Sequence, residues 1–506
     1  MKYLTMFCTI CAMLLPLAIS AADLGTAEIS WVQGDVRIYT DEAGDWIPAS
    51  LNLPLKEGDK IQVGENGRAE LHIMGGLYIR FEGDTAFDIL SLDRSGLHFY
   101  MGKGHTYLNN GPGGIRVVQI DTPLATFHSY DNSITMADVE DSGATGIGVL
   151  KGYVHVESRN GKTRVGANNY LRVDDGGYAE LSPLGQPDLW EKWNLQRDRD
   201  LAGLRESVRY LPEELQEYSG DFDENGQWVY TRDYGYVWSP SSVVDDWAPY
   251  RVGRWVWIRN DYVWVSTERW GWAPYHYGRW TFIRGIGWCW TPPRPGNVYW
   301  APGYVAWTYT STYVSWVPLA PGDIYYGRGY YGPGSVNITV VNINKTGIKQ
   351  EVRNVTINNA VTAIPMEAFA RGAQVKERFR ENLFAQHGVK AGPPPVKQEV
   401  KAIFPALKAS PPAIRVPSMP ETRKAPEEYR EQRKFVRDAG SSAFSQRKPE
   451  PLPVKKLDEP KIIIRKHQNR LPEKPKTDSS RKEGHEKNEQ KGKQDKGRKR
   501  KAEPLI

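Results

Sequence analysis

Apolar and polar residues alternate along roughly the first third of the chain. Val36-Arg37-Ile38-Tyr39, Ala69-Glu70-Leu71-His72-Ile73 and Val154-His155-Val156-Glu157 carry a period of two, which places every second side chain on one face of a strand. Turn residues interrupt the pattern at Gly58-Asp59, Asn66-Gly67, Gly75-Gly76, Asn160-Gly161 and Gly176-Gly177. Many short strands with regular breaks predict an all-β roll or sandwich over 27–182. The period then changes. Between 186 and 220, Leu189, Trp193, Leu201, Leu204 and Val208 recur near helical spacing among Arg, Asp and Glu. That predicts a helical connector, one amphipathic helix or two short ones, packing its apolar face on a β-domain.

From 226 the alternation returns, now carried by aromatic residues. Segment 226–318 holds 14 of the 18 tryptophans and no leucine. Trp228, Trp255, Trp280 and Trp307 open four units 27, 25 and 27 residues apart, and each is answered by Trp238, Trp264, Trp290 or Trp316. Pro240, Pro292 and Pro318 follow three of those closing residues, as expected where a strand ends and a missing N–H does no harm. Each unit is therefore expected to be a β-hairpin. A propeller blade needs about 40 residues, so the shorter period favours a meander or β-solenoid across a domain spanning 221–375. Two strings reinforce the repeat: WAPYRVGRW at 247–255 and WAPYHYGRW at 272–280 agree at seven of nine positions.

Two uses of these rings stay open. A buried tryptophan removes roughly 150–250 Å² from water, on the order of 4–6 kcal/mol as an upper bound. In a segment without leucine, Trp228, Trp255, Trp280 and Trp307 are the expected structural core. Yet 15 tyrosines also lie between 226 and 331, and exposed rings stack on the apolar faces of sugars. Tyr250, Arg254, Tyr275, Tyr277 and Arg279, the repeated polar and aromatic positions, are the candidate glycan-binding residues. Arg254 and Arg279 could instead clamp neighbouring rings by cation–π contact.

The ends of the chain bear on location. Lys2, the apolar run Tyr3–Leu17 and Ser20-Ala21-Ala22 have the order of a secretory signal peptide cleaved near residue 22. Cys8 and Cys11 lie inside it, leaving Cys289 without an intramolecular partner and flanked by two tryptophans, a core position. No later apolar run approaches a membrane span. The net charge of +6 is unevenly spread, because 451–506 carries 18 Lys/Arg against 9 Asp/Glu. From 385 the chain is rich in Pro, Lys and Glu, so 385–506 is expected to be a disordered basic tail able to tether the protein to an anionic envelope surface.

The first β-segment resembles the FecR domain. The resemblance rests on Gly34-Asp35-Val36, Trp46, Leu55-Lys56-Glu57-Gly58-Asp59-Lys60-Ile61, Gly67-Arg68-Ala69-Glu70-Leu71, Thr122-Pro123-Leu124-Ala125-Thr126 and Gly152-Tyr153-Val154. Phe127-His128-Ser129-Tyr130-Asp131 departs from the family, which places a Gly-Thr pair there. Residues 190–370 resemble a tryptophan-rich, functionally uncharacterised domain that follows FecR domains in Gram-negative envelope proteins. The twin WAPY strings, Ser315–Asp323 and Val361-Thr362-Ala363-Ile364-Pro365 carry that likeness.

No catalytic constellation stands out. The nine histidines are scattered without metal-ligand spacing, HExxH, a P-loop and a Gly-x-Ser-x-Gly elbow are missing, and His276 is replaced by Arg251 in the other copy, which suggests a surface position. Asp245-Asp246 has the look of turn chemistry more than of glycoside hydrolysis. The expectation is an exported, non-enzymatic scaffold or ligand-binding protein of the periplasm or cell surface, without cofactor or metal. Its expected partner is polysaccharide or peptidoglycan, with no specific nucleic acid. The alternative is a FecR-type regulator acting in the periplasm. The cytoplasmic arm of the family's signalling members is not expected here, since only Met1 and Lys2 precede the apolar run.

Overall fold

The computed structural model describes residues 25–403, apart from 94–95, 113–116, 175, 177–178, 204, 242, 341–350 and 376–381. The expected signal peptide, Leu204 and the chain beyond 403, including the basic run from 451, lie outside the described residues. The protein is mainly β, with short helices.

Strands from Ala27–Gln33 to Ala179–Pro183 pair into one continuous network of two ladders. The 15-residue strand Gly96–Asn110 belongs to both. Its first half lies between Thr85–Asp93 and Val118–Asp121, its second between Leu77–Phe81 and Ser133–Val139. Gly104, at φ +101°, marks the change of ladder. A Cβ there would sit 2.4 Å from the Thr85 Cα, so only glycine passes. Alternate residues face inward as the period requires: Ile38, Ile61, Leu71, Ile79, Phe81, Phe87, Phe99, Ile120 and Phe127 are all buried.

The connector is a helix at Leu189–Gly203, two 3-10 turns at Glu206–Tyr210 and Glu213–Tyr218, and a short helix at Ser219–Asn225. Its buried face differs from the expected one. Leu189 is 81% exposed, whereas Trp190 and Asn194 are buried. The reason is electrostatic. Arg80, fully buried in the β-domain, donates to Glu70 at 2.7 Å and pairs with Asp198 of the helix at 2.7 Å. Arg197 reaches Glu70 at 2.9 Å, and the Tyr107 hydroxyl donates to Asp198. Buried charges must be paired, so the helix turns its polar stripe inward. Burial alone would raise the Glu70 carboxyl, but Arg80 and Arg197 outweigh it and hold it down to about 2.

The four expected hairpins form at 226–240, 253–266, 279–291 and 305–318. In each, the opening tryptophan stands opposite the closing one: Trp228 and Trp238, Trp255 and Trp264, Trp280 and Trp290, Trp307 and Trp316. They do not stack as a solenoid. The first and third share a four-stranded sheet, the second stands alone, and the fourth pairs with Thr362–Pro365. Trp255, Trp280 and Trp307 are core residues, while Trp228 is half-buried beside Tyr210. Rings gather in two groups, Trp238, Trp247, Trp270 and Trp280 in one and Trp255, Trp264, Trp307 and Trp316 in the other. Tyr275 touches both, 6.1 Å from Trp264 and 6.0 Å from Trp280. His276 is a correction: it is buried, with Nδ1 2.7 Å from the Ala301 carbonyl and its ring stacked on Trp300. Burial pushes its pKa down to about 4.

Residues 385–403, assigned by composition to the start of the tail, also pack against this domain. Pro393 and Pro394 are buried. Gln398 accepts from the Trp257 N–H and donates to the Trp255 and Phe369 carbonyls, and Lys390 N donates to Trp307 O. Proline-rich sequence needs no ladder partner, so it can strap an aromatic surface through a few side-chain bonds. Composition mistakes that for a tail.

Candidate functional site

A cleft of about 660 Å³ opens in the aromatic domain, a size that suits a small ligand or a few units of a polymer. It forms where the turn of the first hairpin, with Asp233 and Tyr234, meets the ends of the third at Arg279 and Thr291. The loops at 292–299, 321–323 and 331–334 close the remainder. Glycine and proline fill these loops, keeping the walls low. Gly332, at φ +95°, lies so close to the Tyr299 ring that a Cβ would come within 2.6 Å of it.

Arg279 is the fixed cation of the cleft. Its guanidinium lies 3.6 Å from the Tyr304 ring centroid, and Nη1 donates to the Gly278 carbonyl at 2.8 Å. A guanidinium flat on an aromatic face keeps the planar fork of donors that matches carboxylate and hydroxyl oxygens. Tyr304 is itself pinned. Its hydroxyl donates to Tyr299 O at 2.9 Å, and its backbone N–H donates to the Tyr250 hydroxyl, which donates in turn to Tyr275 O. Asp323 accepts from the Ala320 N–H at 3.0 Å, and Arg353 lies 3.9 Å away. Burial raises the Asp323 carboxyl above its ordinary value.

Of the five candidate binding residues, only Arg279 reaches the cleft. Tyr250, Tyr275 and Tyr277 are buried to within 1% of their surface, so they offer no ring face to a ligand. Conserving a ring in each copy of a repeat serves the packing between copies, and here Tyr250 and Tyr275 join the two ring clusters. Arg254 is half-buried and bonds the Ile403 carbonyl at the end of the C-terminal strap. Sequence reasoning missed Tyr234, Tyr299, Tyr304 and Asp323. One signal was present: Trp300-Ala301-Pro302-Gly303-Tyr304 is a third WAPY string with a glycine inserted. That glycine is required, since a Cβ at Gly303 would meet the Trp255 ring at 2.7 Å.

A second polar site lies where the β-domain meets the connector. His72 sits between Glu28 at 3.3 Å and Glu217 at 3.5 Å and stacks on Tyr78. Burial opposes its charge, but Glu217 and Glu28 outweigh burial and push its pKa up to about 10. The adjoining cavity is only about 60 Å³, room for water and little else. Among the described residues, no group of three or more His, Cys, Asp or Glu is placed to hold a metal, and no helix is long and apolar enough to cross a membrane.

The aromatic hairpins carry the family match. Residues 219–323 match the model of a family of unknown function, DUF6600, which covers the four hairpins and most of the cleft. Two crystal structures of a candidate anti-sigma factor from Parabacteroides distasonis ATCC 8503 also align, each at 15% identity and a TM-score of 0.23. The alignment covers 25% of this chain and 59% of theirs, so the chain spans about three fifths of those structures. No curated protein matches.

Proposed function

We propose that this chain is an exported, non-enzymatic ligand-binding protein of a Gram-negative-type cell envelope, and that its aromatic domain binds glycan in the cleft beside Arg279. The observation that carries the reading is the pairing of a fixed guanidinium with tyrosine walls in a 660 Å³ cleft. Sugar rings present apolar C–H faces and polar edges, and half-buried Tyr234 and Tyr299, with the Arg279 guanidinium seated on buried Tyr304, supply a complement to each. The secretory-type N-terminus and the FecR resemblance of 27–182 support the location. The basic run 451–506 serves as an electrostatic tether to anionic envelope surfaces, weakened by salt.

A glycan-array screen of the full chain, followed by titration of the best hit, tests the site. Arg279→Ala should weaken binding by about 1.5–3 kcal/mol, the range for hydrogen bonds to a charged group, with thermal unfolding little changed. An empty array, or an Arg279→Ala variant that binds as the parent does, would overturn the reading.

A further inference from the structure

We propose that the ligand of this cleft is a carboxylate-bearing polysaccharide held along its length, with the strand leaving the cleft across Tyr236 and Tyr230. The proposal rests on the glycan reading above and adds the charge class of the ligand and its direction.

The path follows from strand register. Trp228, Trp238, Trp290 and Trp280 form one rung across the four-stranded sheet, each opposite the next. Side chains two residues along share the same face. Two residues on, Tyr230 pairs with Tyr236, and Pro292 and Gly278 lie one residue past the ends of the other two strands. Pro292 and Gly278 are walls of the cleft, as are Asp233 and Tyr234 in the turn joining the two tyrosine strands. The sheet is three strand spacings across, about 14 Å at about 4.8 Å each, so Tyr230 and Tyr236 stand within that reach of the cleft walls.

That surface is aromatic and open. Tyr230 is 68% exposed and Tyr236 48%. The Tyr236 ring centroid lies 4.6 Å from Tyr210, and Tyr210 stacks on Trp228 at 4.9 Å. The platform is thus backed by other rings and stays outside the core. At a second margin, Tyr330, 62% exposed, stands edge-on to the cleft residue Tyr299. A ligand confined to the cleft would leave Tyr230, Tyr236 and Tyr330 unused, whereas a polymer passing through would cover apolar area on each ring.

Charge selects the class. Arg279 and Arg294 line the cleft, and Arg232 lies in the same turn as Asp233. Asp323 is countered by Arg353, 3.9 Å away and outside the lining. Two arginines of the lining, Arg279 and Arg294, therefore stand against one uncountered carboxylate, Asp233. Arginine's planar donors match a sugar carboxylate in a way that neutral hydroxyls do not.

The test is calorimetric titration of the full chain with oligogalacturonates from dimer to octamer, beside malto-oligosaccharides of the same lengths as neutral probes. Affinity for the acidic series should rise at least about tenfold with length, fall with added salt, and exceed that for the neutral series. The double variant Tyr230→Ala, Tyr236→Ala should keep dimer affinity and lose the gain with length. Arg279→Ala should weaken binding at every length. Binding that is independent of length, a gain that survives the double variant, or equal affinity for the neutral series would overturn the proposal. No binding of any oligogalacturonate would overturn it too, while a cleft-dependent hit on the array would leave the glycan reading standing.

Discussion

Several of the tryptophan rings are held by their nitrogens as well as by their faces. Trp280 donates to Pro274 O, Trp290 to Tyr277 O and Trp316 to Tyr250 O, all at 2.8–3.0 Å. Each bond ties a hairpin to a segment in or beside a WAPY string, which explains why the string and the hairpin recur together. Trp280 is 1% exposed and lies against Trp238, Trp247, Trp270 and Tyr275. Replacing it with alanine should cost about 3–5 kcal/mol, the usual penalty for emptying such a site. Denaturant unfolding checks this, and a loss under about 1 kcal/mol would place the ring outside the core. The same packing shows why the tyrosine assignment failed. Recurrence marks Tyr250 and Tyr275 as important, but recurrence has the same appearance for a ring that joins copies and a ring that meets a ligand. Only burial separates the two.

At the scale of elements, the spacing of tryptophans predicts hairpins well because opener and closer are cross-strand partners, fixed by local register. Glycine completes the device. At Gly226, Gly253 and Gly278, two residues before three of the openers, a Cβ would come within 2.4–2.8 Å of the closing Trp238, Trp264 or Trp290. What local spacing cannot express is which hairpins share a sheet, since the pairing of 235–240 with 287–291 spans distant segments and rests on one registered pair. The C-terminal strap was hidden for a related reason. Its hold depends on Gln398, a residue with no apolar signature. Gln398→Ala would strand the Trp257 N–H and the Trp255 carbonyl, whereas the Phe369 carbonyl keeps the Gly372 N–H, and unmet buried groups cost about 1–3 kcal/mol. The expected outcome is a stability loss of that size with faster proteolysis between 388 and 403. Unchanged proteolysis would mean the strap is held by its prolines alone.

Across the whole molecule, the β-domain and the connector are joined by a charged cluster, and its balance of groups gives the joint a pH dependence. His72 faces Glu28 on strand Ala27–Gln33, Glu217 and Tyr218 on the connector, and Tyr78 on strand Leu77–Phe81, while Asp221 and Arg197 stand nearby. Carboxylates outnumber cations around the imidazole, so the folded state holds protons that the unfolded chain releases. For His72, with a folded pKa raised to about 10, the stabilisation is whole below its ordinary value of 6.5 and is lost as pH rises toward 10. Glu28 acts in the same direction at lower pH. Burial raises its carboxyl from 4.5 to about 7 despite His72, so its contribution falls away across that interval. Glu70, held near 2, changes only below 4.5 and leaves this window flat. Stability of the joint should therefore decline from mildly acidic to alkaline pH, and His72→Gln should be less stable than the parent at pH 6.5 and nearly equal to it near pH 10. Urea midpoints for the two proteins across that range decide the matter. Parallel curves, with a gap that does not close, would show that His72 contributes packing and no charge.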